Sequence, residues 1–478
     1  MLHPLHRRLV LITAASLVLL LVWLLVSLDS QTTSSIISSY LPRLGQIDPA
    51  GLAEYALVPE ASTFCPPRYG LPYLDGLRDQ ATEYCTAESP ATVTCFHSRT
   101  ASDNHVDSFC LARAARLDPS RRRFRVGCRL AETPKTTTTG LSIPAYGSLR
   151  SYWYDTGPGV ILRKYVELVG DGDGDTTDSD DRDPRFTILI KREGALNPWH
   201  CLMEMLSMTL SLDVLRLSSL YTLEDLNRTQ VVILDNKQDG PYYELWSLMA
   251  RRPIRRLEDI VAIGDTDSEN LIVPLPGASN PIWQGDWEIH PCRDSPLLRV
   301  FAGRIRAFYG LDAPAAADPN KQITVTYIDR NESRRLVGSD AYLQDIRQAF
   351  PDVLVQAVDF AAIPFREQVR IASTTDILLG VHGAGLTHGL FMDAGSVMVE
   401  ILPPDFNHKG FRNFAGLLGH AYYSVHASSS QAPDGDNVVS RDDWHQKDVI
   451  LSKDRFMELI DVAVKSLYNK GSHNLDVN

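Results

Sequence analysis

The sequence feature that most constrains the fold is an alternation of short apolar runs and longer helical stretches between residues 186 and 402. Such alternation predicts parallel strands joined by helical crossovers. We therefore expect an α/β fold with two doubly wound, Rossmann-like halves that face a cleft, with ligands at the carboxyl ends of the strands. The predicted strands are 186–190, 230–234, 272–275, 322–328, 353–356, 376–381 and 396–402, and the predicted helices are 198–212, 297–308, 340–349 and 364–373. Asn197 is the predicted cap of the first of these helices, with Pro198 in its first turn.

The amino-terminal region contains an almost unbroken apolar stretch at residues 9–28. A helix of about 20 apolar residues spans the hydrocarbon core of a bilayer, which is about 30 Å thick. Arg7 and Arg8 precede the stretch and Asp29 follows it, so we expect residues 1–8 in the cytoplasm and the rest of the chain across the membrane. The alternative is a cleaved signal peptide. Residues 25–27 offer no small-x-small cleavage site, which favours an uncleaved signal anchor.

Cysteine content and charge agree with a chain outside the cytosol. Five of the seven cysteines lie between residues 65 and 128, where an oxidising lumen would allow disulfides. The odd number leaves at least one thiol unpaired within the chain, and the absence of repeated Cys-x-x-Cys spacing argues against zinc. The net charge of −12 argues against a nucleic-acid partner.

Composition divides the rest of the chain. Residues 31–39 are rich in Ser and Thr, and Pro42 and Pro49 follow them, which indicates a stem at 29–60. We expect a first Rossmann-like domain at 61–295, a second at 296–430, and a helical carboxyl-terminal segment at 431–478.

An acidic run occupies residues 171–183. A calcium loop needs defined ligand spacing and a closing acidic residue, whereas this run has an excess of acidic residues and no helix pattern around it. A second alternative is a metal site of the Asp-x-Asp type at Asp171 to Asp175. The composition of the acidic run favours a third interpretation, a solvated insertion between two strands.

The strongest local motif follows the predicted strand at 376–381. The strand ends in a turn of small residues before a short predicted helix near Leu386, and this arrangement lets backbone N–H groups and the helix dipole bind an anion. We expect His382, at the tip of the strand, to donate a hydrogen bond to a phosphate, and Glu400, in the next strand, to bind ribose hydroxyls. The residues of the predicted diphosphate turn are Gly383, Ala384 and Gly385.

Other interpretations of this motif were considered. The simplest is a tight structural turn. A His-Gly-Ala-Gly sequence also occurs in esterase oxyanion loops, but those enzymes need a Gly-x-Ser-x-Gly elbow, which this sequence lacks. It also lacks a complete Gly-x-Gly-x-x-Gly fingerprint after a strand and a Gly-x-x-x-x-Gly-Lys-Ser/Thr loop, so a nicotinamide enzyme or a P-loop protein is not predicted.

The block at 380–388 together with Val399-Glu-Ile-Leu-Pro403 resembles the signature of glycosyltransferase family 61. Residues 197–204, Asn-Pro-Trp-His-Cys-Leu-Met-Glu, are similar to the Asn-x-x-His-x-x-x-acid pattern of that family at a helix start. The stretch at 276–287 looks most like that of fungal members. The resemblance covers about residues 60–430 and implies a GT-B fold, an inverting mechanism and a UDP-sugar donor.

The resemblance also implies roles for individual residues. Inverting transfer needs a base for the acceptor hydroxyl, and His200 is the first candidate. Glu204 lies four residues later on the predicted helix, so we expect its carboxylate to hold the imidazole ring. Asp286, in an aromatic loop suited to sugar stacking, is the second candidate base. The alternative is that His200 and Glu204 form a buried polar pair that anchors the helix start.

Positive charge at the donor site is expected from Arg330, which follows the strand at 322–328 and could bind a diphosphate with two parallel hydrogen bonds. Arg334 and Arg335 are nearby alternatives. Such cations and a helix amino end would replace a metal ion, so the resemblance implies metal-independent activity without a cofactor. Metal-dependent activity would instead use the acidic run at Asp171 to Asp175.

Together these features predict an inverting enzyme that moves a sugar from a UDP-sugar to a hydroxyl of a protein or glycan, with N-acetylglucosamine favoured over xylose. Residues 61–295 would then form the acceptor side and 296–430 the nucleotide-sugar side. A non-catalytic lumenal protein that binds glycans or nucleotides is the alternative. The chain ends in Asn-Leu-Asp-Val-Asn478 rather than in an ER-retrieval signal, which favours a single-pass type II protein of the Golgi membrane over one of the ER.

Overall fold

The computed structural model describes most of the chain from residue 64 onward. The predicted tail at 1–8, the anchor at 9–28, the acidic insertion at 171–183 and all of the stem before Tyr55 lie outside the described residues. Within the described part, no helix has both the length and the apolar character needed to cross a membrane. The structure describes residues 55, 64–99, 106–132, 141–170, 185–263, 268–311, 321–429 and 447–469.

The first half of the chain forms a mixed sheet that has nine strands among the described residues. The hydrogen-bonded order is β1-β2-β3-β9-β6-β7-β8, and β4 pairs with β3 and β5. The strands are β1 (Ala81–Glu83), β2 (Thr92–Ser98), β3 (Asp107–Asp118), β4 (Arg123–Gly127), β5 (Val166–Val169), β6 (Arg185–Ile190), β7 (Thr229–Ile233), β8 (Arg255–Arg256) and β9 (Ser268–Val273).

Only part of this sheet has the predicted parallel arrangement. Strand β6 pairs in parallel with β7 and β9, and β7 with β8, as expected for a Rossmann-like unit. Strands β1, β2 and β3 are antiparallel neighbours, and β3 continues antiparallel to β9. The prediction of a doubly wound first half therefore holds only for β6 to β9. The connections between β1, β2, β3 and β4 are each shorter than the dozen or so residues that a parallel crossover requires.

The second half contains a five-stranded sheet in which every neighbouring pair is parallel. Its order is β11-β10-β12-β13-β14. The central strands are buried along their whole length, which is typical of a sheet covered on both faces. The sequence-based prediction of these strands is confirmed for β10 to β13. The strands are β10 (Ile323–Ile328), β11 (Val353–Val358), β12 (Ile377–Val381), β13 (Val397–Leu402) and β14 (Ala421–His426).

The helices complete the layers around both sheets. The predicted helix at 198–212 is present and extends to Leu217. Asn197 caps it as predicted, because its side-chain oxygen accepts hydrogen bonds from the N–H groups of Trp199 at 3.0 Å and His200 at 3.4 Å. The helices are α1 (Pro66–Tyr69), α2 (Leu71–Asp79), α3 (Pro158–Tyr165), α4 (Pro198–Leu217), α5 (Leu257–Ile263), α6 (Pro296–Phe308), α7 (Ser339–Ala349), α8 (Phe365–Ser373), α9 (Gly410–Leu417) and α10 (Lys453–Asn469).

Three disulfides connect the described part of the first half. Cys85 pairs with Cys128, and Cys95 pairs with Cys110 across β2 and β3. The third joins Cys65, before α1, to Cys292, before α6. Cys201 on α4 is a buried free thiol, in agreement with the odd number of cysteines.

A buried ionic cluster fixes α4 against α6. Asp213 of α4 has no solvent exposure and accepts hydrogen bonds from Arg304 of α6 at 2.7 and 3.0 Å. The side chains of Arg216 and Tyr55 donate to the same carboxylate at 2.9 and 2.5 Å. One buried carboxylate therefore compensates two guanidinium groups.

Replacement of Asp213 by alanine is expected to lower the free energy of unfolding by about 3–5 kcal/mol, because two buried guanidinium groups would lose their shared counter-charge. Equilibrium unfolding of the purified protein in urea measures this quantity. Asp461→Ala is the matched control, since it removes the exposed i,i+4 pair with Lys465 and should cost less than about 0.5 kcal/mol. Equal costs for the two variants would contradict the importance of the buried cluster.

Candidate active site

A cavity of about 250 Å³ lies where the two halves of the chain meet. The first half contributes residues from the start of α4 and from the loop after β9. The second half contributes residues that follow β10, β12 and β13. Five of the nine residues predicted from the sequence line this cavity, namely His200, Asp286, His382, Gly383 and Ala384. The remaining lining residues are Asn197, Trp199, Trp283, Arg334, His408, Gly410 and Phe411.

His200 is held by a carboxylate that follows β6. Its ring Nδ1 lies 2.8 Å from Oε2 of Glu193, whose side chain has no solvent exposure. The Nζ of Lys237 donates to the backbone carbonyls of Arg192 and Glu193, both at 2.6 Å, and so fixes the carboxylate's position. When the Nδ1–H group donates this hydrogen bond to Glu193, the neutral ring has its lone pair on Nε2. This is the tautomer that can accept a proton.

Glu204 does not hold His200, so that prediction was wrong. Its Oε1 accepts the backbone N–H of Glu193 at 2.9 Å, and its Oε2 has no hydrogen-bond partner among the described residues. Burial, reinforced by the nearby Glu193 carboxylate, raises the pKa of Glu204 well above its usual value. Burial thus favours the neutral form of Glu204, whose side chain supports the backbone at 193.

His382 extends from β12 into the cavity wall and is held from behind. Its Nδ1 lies 2.5 Å from Oε1 of Glu400 on β13, and the Tyr422 hydroxyl donates to the other oxygen of that carboxylate. Burial lowers the pKa of His382, although Glu400 opposes this effect. Glu400 is 1% exposed and does not line the cavity. The predicted contact between Glu400 and ribose hydroxyls is therefore not supported, because both of its oxygens serve neighbouring side chains.

The turn after His382 has the form expected of an anion site. Gly383 has a φ of 155°, and a Cβ atom at this position would lie 2.8 Å from Nη1 of Arg330 and 3.0 Å from Nη1 of Arg334. A 3₁₀ segment follows at Ala384–Phe391, and the first N–H groups of such a segment have no carbonyl partner within it. Only glycine therefore allows two guanidinium groups to approach the start of this segment.

The two arginines differ in their exposure to the cavity. Arg334 lines it and donates from Nη1 to the His382 carbonyl at 2.9 Å. Burial and the adjacent Arg330 lower the pKa of Arg334 to about 10. Arg330 donates from Nε to the Ser333 carbonyl at 2.9 Å and lies behind the turn. Arg334, a nearby alternative to Arg330 in the sequence-based prediction, is therefore the arginine that lines the cavity. Arg335, the other alternative, forms an ion pair with Asp448 on the surface.

The loop that carries Asp286 is fixed on α4. The buried amide of Asn280 donates to the carbonyls of Met203 at 3.1 Å and Gly277 at 2.8 Å, and accepts from the backbone N–H of Trp283 at 3.1 Å. Asp286 itself lies 3.0 Å from Nε2 of His408, which follows β13. This loop therefore bridges the two walls of the cavity.

Aromatic side chains surround the mouth of the cavity on the side of His200. Trp153 and Tyr154 are 64% and 56% exposed, and their rings lie edge-on to those of Trp283 and His200, respectively. Tyr152 and Tyr154 have positive φ angles of 58° and 57°, a conformation that bulky residues rarely adopt. Such local strain often marks a functional position.

Sequence reasoning missed Glu193, His408 and Tyr422. Glu193 could have been suspected because it follows the end of a predicted parallel strand, where ligands bind. His408 and Tyr422 contact the predicted residues only through tertiary folding, and no local pattern marks them. No group of three or more His, Cys, Asp or Glu side chains suited to a metal ion occurs among the residues that the structure describes. The metal-independent activity expected from the sequence stays a prediction.

Comparisons with known proteins identify one family. Residues 199–399 match the family model described as Glycosyltransferase 61. For this part of the chain, the match supports the family and the class of enzyme expected from the motifs at 197–204 and 380–403, whereas the expectation of a fungal member stays a prediction.

Several similar proteins bear the name "EGF domain-specific O-linked N-acetylglucosamine transferase". The chain is 27% identical to the one from Drosophila melanogaster over 48% of this chain and 44% of the relative. It is 28% identical to the one from Xenopus laevis over 33% of this chain and 28% of the relative. It is 30% identical to the one from Pan troglodytes over 28% of this chain and 25% of the relative. The matched region thus spans less than half the length of these relatives.

The raised pKa of Glu204 has a consequence for stability. The folded protein keeps this proton at pH values where the unfolded chain has already lost it, so the free energy of unfolding falls as pH rises above about 4.3. Glu204→Gln removes this dependence, and we expect the variant to gain stability relative to the wild type between pH 4.5 and pH 7.5. Urea unfolding across that range measures the difference.

Glu258→Gln, which changes an exposed side chain on α5, is the matched control and should give a profile parallel to the wild type. A Glu204→Gln profile that is also parallel to the wild type would show that Glu204 is ionised in the folded protein.

Proposed function

We propose that this chain is an inverting enzyme that transfers a sugar from a UDP-sugar to a hydroxyl group of a protein or glycan, on the basis of the match of residues 199–399 to the Glycosyltransferase 61 model. N-acetylglucosamine is the favoured sugar, because the similar proteins are named as N-acetylglucosamine transferases, and xylose is the second choice. The observation that carries the proposal is that His200, held by Glu193 from behind, and the Gly383 turn line one cavity.

The acceptor side of the reaction is assigned to His200. Its Nε2 takes the proton of the acceptor hydroxyl as that oxygen attacks the anomeric carbon of the donor. Glu193 accepts a hydrogen bond from the Nδ1–H group of His200 and stabilises the imidazolium that forms. A carboxylate has the same role beside the catalytic histidine of hydrolases. The bond from the anomeric carbon to the diphosphate oxygen breaks at the same time, and UDP leaves with the electron pair.

The donor side is assigned to the turn at 383–385. The diphosphate would accept hydrogen bonds from backbone N–H groups at the start of the 3₁₀ segment and from Arg334, with Arg330 adding positive charge. A bound diphosphate favours the protonated form of His382, which can then donate from Nε2. Charge on the leaving group is thus neutralised by the chain itself, and we propose metal-independent activity.

The fold proposed for this activity is GT-B, with the acceptor on the side of α4 and the donor on the side of β10–β14. This division is supported by a cavity whose walls come from both halves of the chain. The exposed rings of Trp153 and Tyr154 next to His200 would contact the acceptor.

We further propose that the protein is a single-pass type II protein of the Golgi membrane, held by residues 9–28, with the catalytic part in the lumen. Three disulfides among the described residues support an oxidising compartment. The proposed anchor lies outside the described residues.

Calorimetric titration with a panel of UDP-sugars is the first test of the proposed function. We expect selective binding of one UDP-sugar, unchanged by EDTA, and weaker by about tenfold or more in His382→Ala, because one charge-assisted hydrogen bond to phosphate would be lost. Tyr468→Phe on α10, away from the cavity, is the control and should bind like the wild type. Absence of binding by a folded wild-type protein would favour a non-catalytic glycan-binding protein.

Steady-state kinetics distinguish the two carboxylates near His200. Glu193→Gln is expected to lower kcat by about 100-fold or more with little change in donor KM, because the imidazolium would lose its counter-charge in the transition state. Glu204→Gln is the matched control and should keep kcat within about threefold of the wild type, because glutamine replaces a neutral acid of the same shape. A larger loss in Glu204→Gln than in Glu193→Gln would contradict the assignment.

A further inference from the structure

The proposed chemistry gives no role to one of the three carboxylate–histidine pairs at the cavity, the pair formed by Asp286 and His408. Only one proton leaves the acceptor in each turnover, and the nucleotide diphosphate departs without needing a proton. Asp286 and His408 are nonetheless both part of the cavity wall, with side-chain exposures of 20% and 18%. A polar pair that faces a cavity can exchange its hydrogen bonds to water for hydrogen bonds to a ligand.

The hydrogen bonds of this pair fix the proton on one ring nitrogen. The backbone N–H of Gly410 donates to Nδ1 of His408 at 3.2 Å, so Nδ1 carries a lone pair. The proton of the neutral ring is therefore on Nε2, which donates to Oδ2 of Asp286 at 3.0 Å. Asp286 has one oxygen held by His408, and its other oxygen is left to accept a hydrogen bond from a ligand.

Packing keeps His408 in this orientation. Its ring stacks on Phe406 with 10° between the planes and meets Trp287 edge-on at 5.0 Å. A Cβ atom at Gly410 would lie 2.4 Å from the ring, so any larger residue there would displace it. The pair is thus built as a rigid unit rather than as a mobile surface contact.

The position of the pair relates it to the donor. The ring of His408 lies 5.2 Å from that of His382, the residue directly before the Gly383 turn. The transferred sugar is bonded to the diphosphate, so it must lie next to that turn. His200 instead contacts Trp283 and Tyr154.

We propose that Asp286 accepts a hydrogen bond from a hydroxyl or amide N–H of the transferred sugar, and that His408 is the residue that positions it. This assignment rests on the proposed function and replaces the alternative in which Asp286 is the base. A site built to bind a polar substrate group discriminates strongly against ligands that lack it. Asp286 would therefore help to select the donor sugar.

The test compares UDP with UDP-N-acetylglucosamine and UDP-xylose by calorimetry on the full-length chain. In Asp286→Ala, the Kd of the preferred UDP-sugar is expected to rise about 10- to 100-fold, while the Kd of UDP changes less than about threefold. His408→Leu should reproduce this selective loss. His408→Gln should stay near the wild type, because its amide N–H can replace the Nε2 donor.

Each other outcome has a definite meaning. Unchanged UDP-sugar affinity in Asp286→Ala would overturn the assignment, and a simultaneous loss of turnover would restore Asp286 as the base. Equal losses for UDP and UDP-sugar would also overturn it, since they would indicate a general structural role. Failure of the wild type to bind any of these ligands would remove the proposed function itself, and this assignment with it.

Discussion

The burial of α4 along almost its whole length is the constraint on which the candidate site depends. A helix that is apolar on every side must be surrounded by other elements, and α4 contacts α2 and α6 as well as the 3₁₀ segment that follows Gly383. Its capped amino end therefore has a fixed position relative to the Gly383 turn. The Asn280 amide then attaches the Trp283–Asp286 loop to the same helix.

Much of the fold and part of the site could be predicted from sequence. Periodicity and turn residues located the parallel strands of the second half, and the cap at Asn197 gave the start of α4. The antiparallel β1–β3 region was not foreseen, because its order depends on the pairing of β3 with β9, which follows about 150 residues later in the chain. Local sequence patterns thus predict individual strands and helices, whereas the pairing of strands far apart in the chain determines the order of the first sheet.

The error at Glu204 has a specific physical reason. Residues four apart lie on the same face of a helix, and this rule selects partners on an exposed surface. In a helix that is surrounded on all sides, the first turn reaches the cavity while the next turn is already in the core. His200 consequently takes its partner from the end of β6, seven residues earlier in the chain. Glu400 shows the same limit, since its two neighbours, His382 and Tyr422, are brought together only by the sheet.

The disulfide between Cys65 and Cys292 closes a segment of 227 residues. During synthesis at about 5–20 residues per second, Cys292 would emerge roughly 10–45 s after Cys65. Four cysteines that form the other two disulfides are synthesised in that interval. In an oxidising compartment, Cys65 must either remain a free thiol until Cys292 is synthesised or first form a non-native disulfide that is later exchanged. Biogenesis of this protein is therefore expected to depend on thiol–disulfide isomerases, and the amino-terminal segment would join the domain last although it is made first.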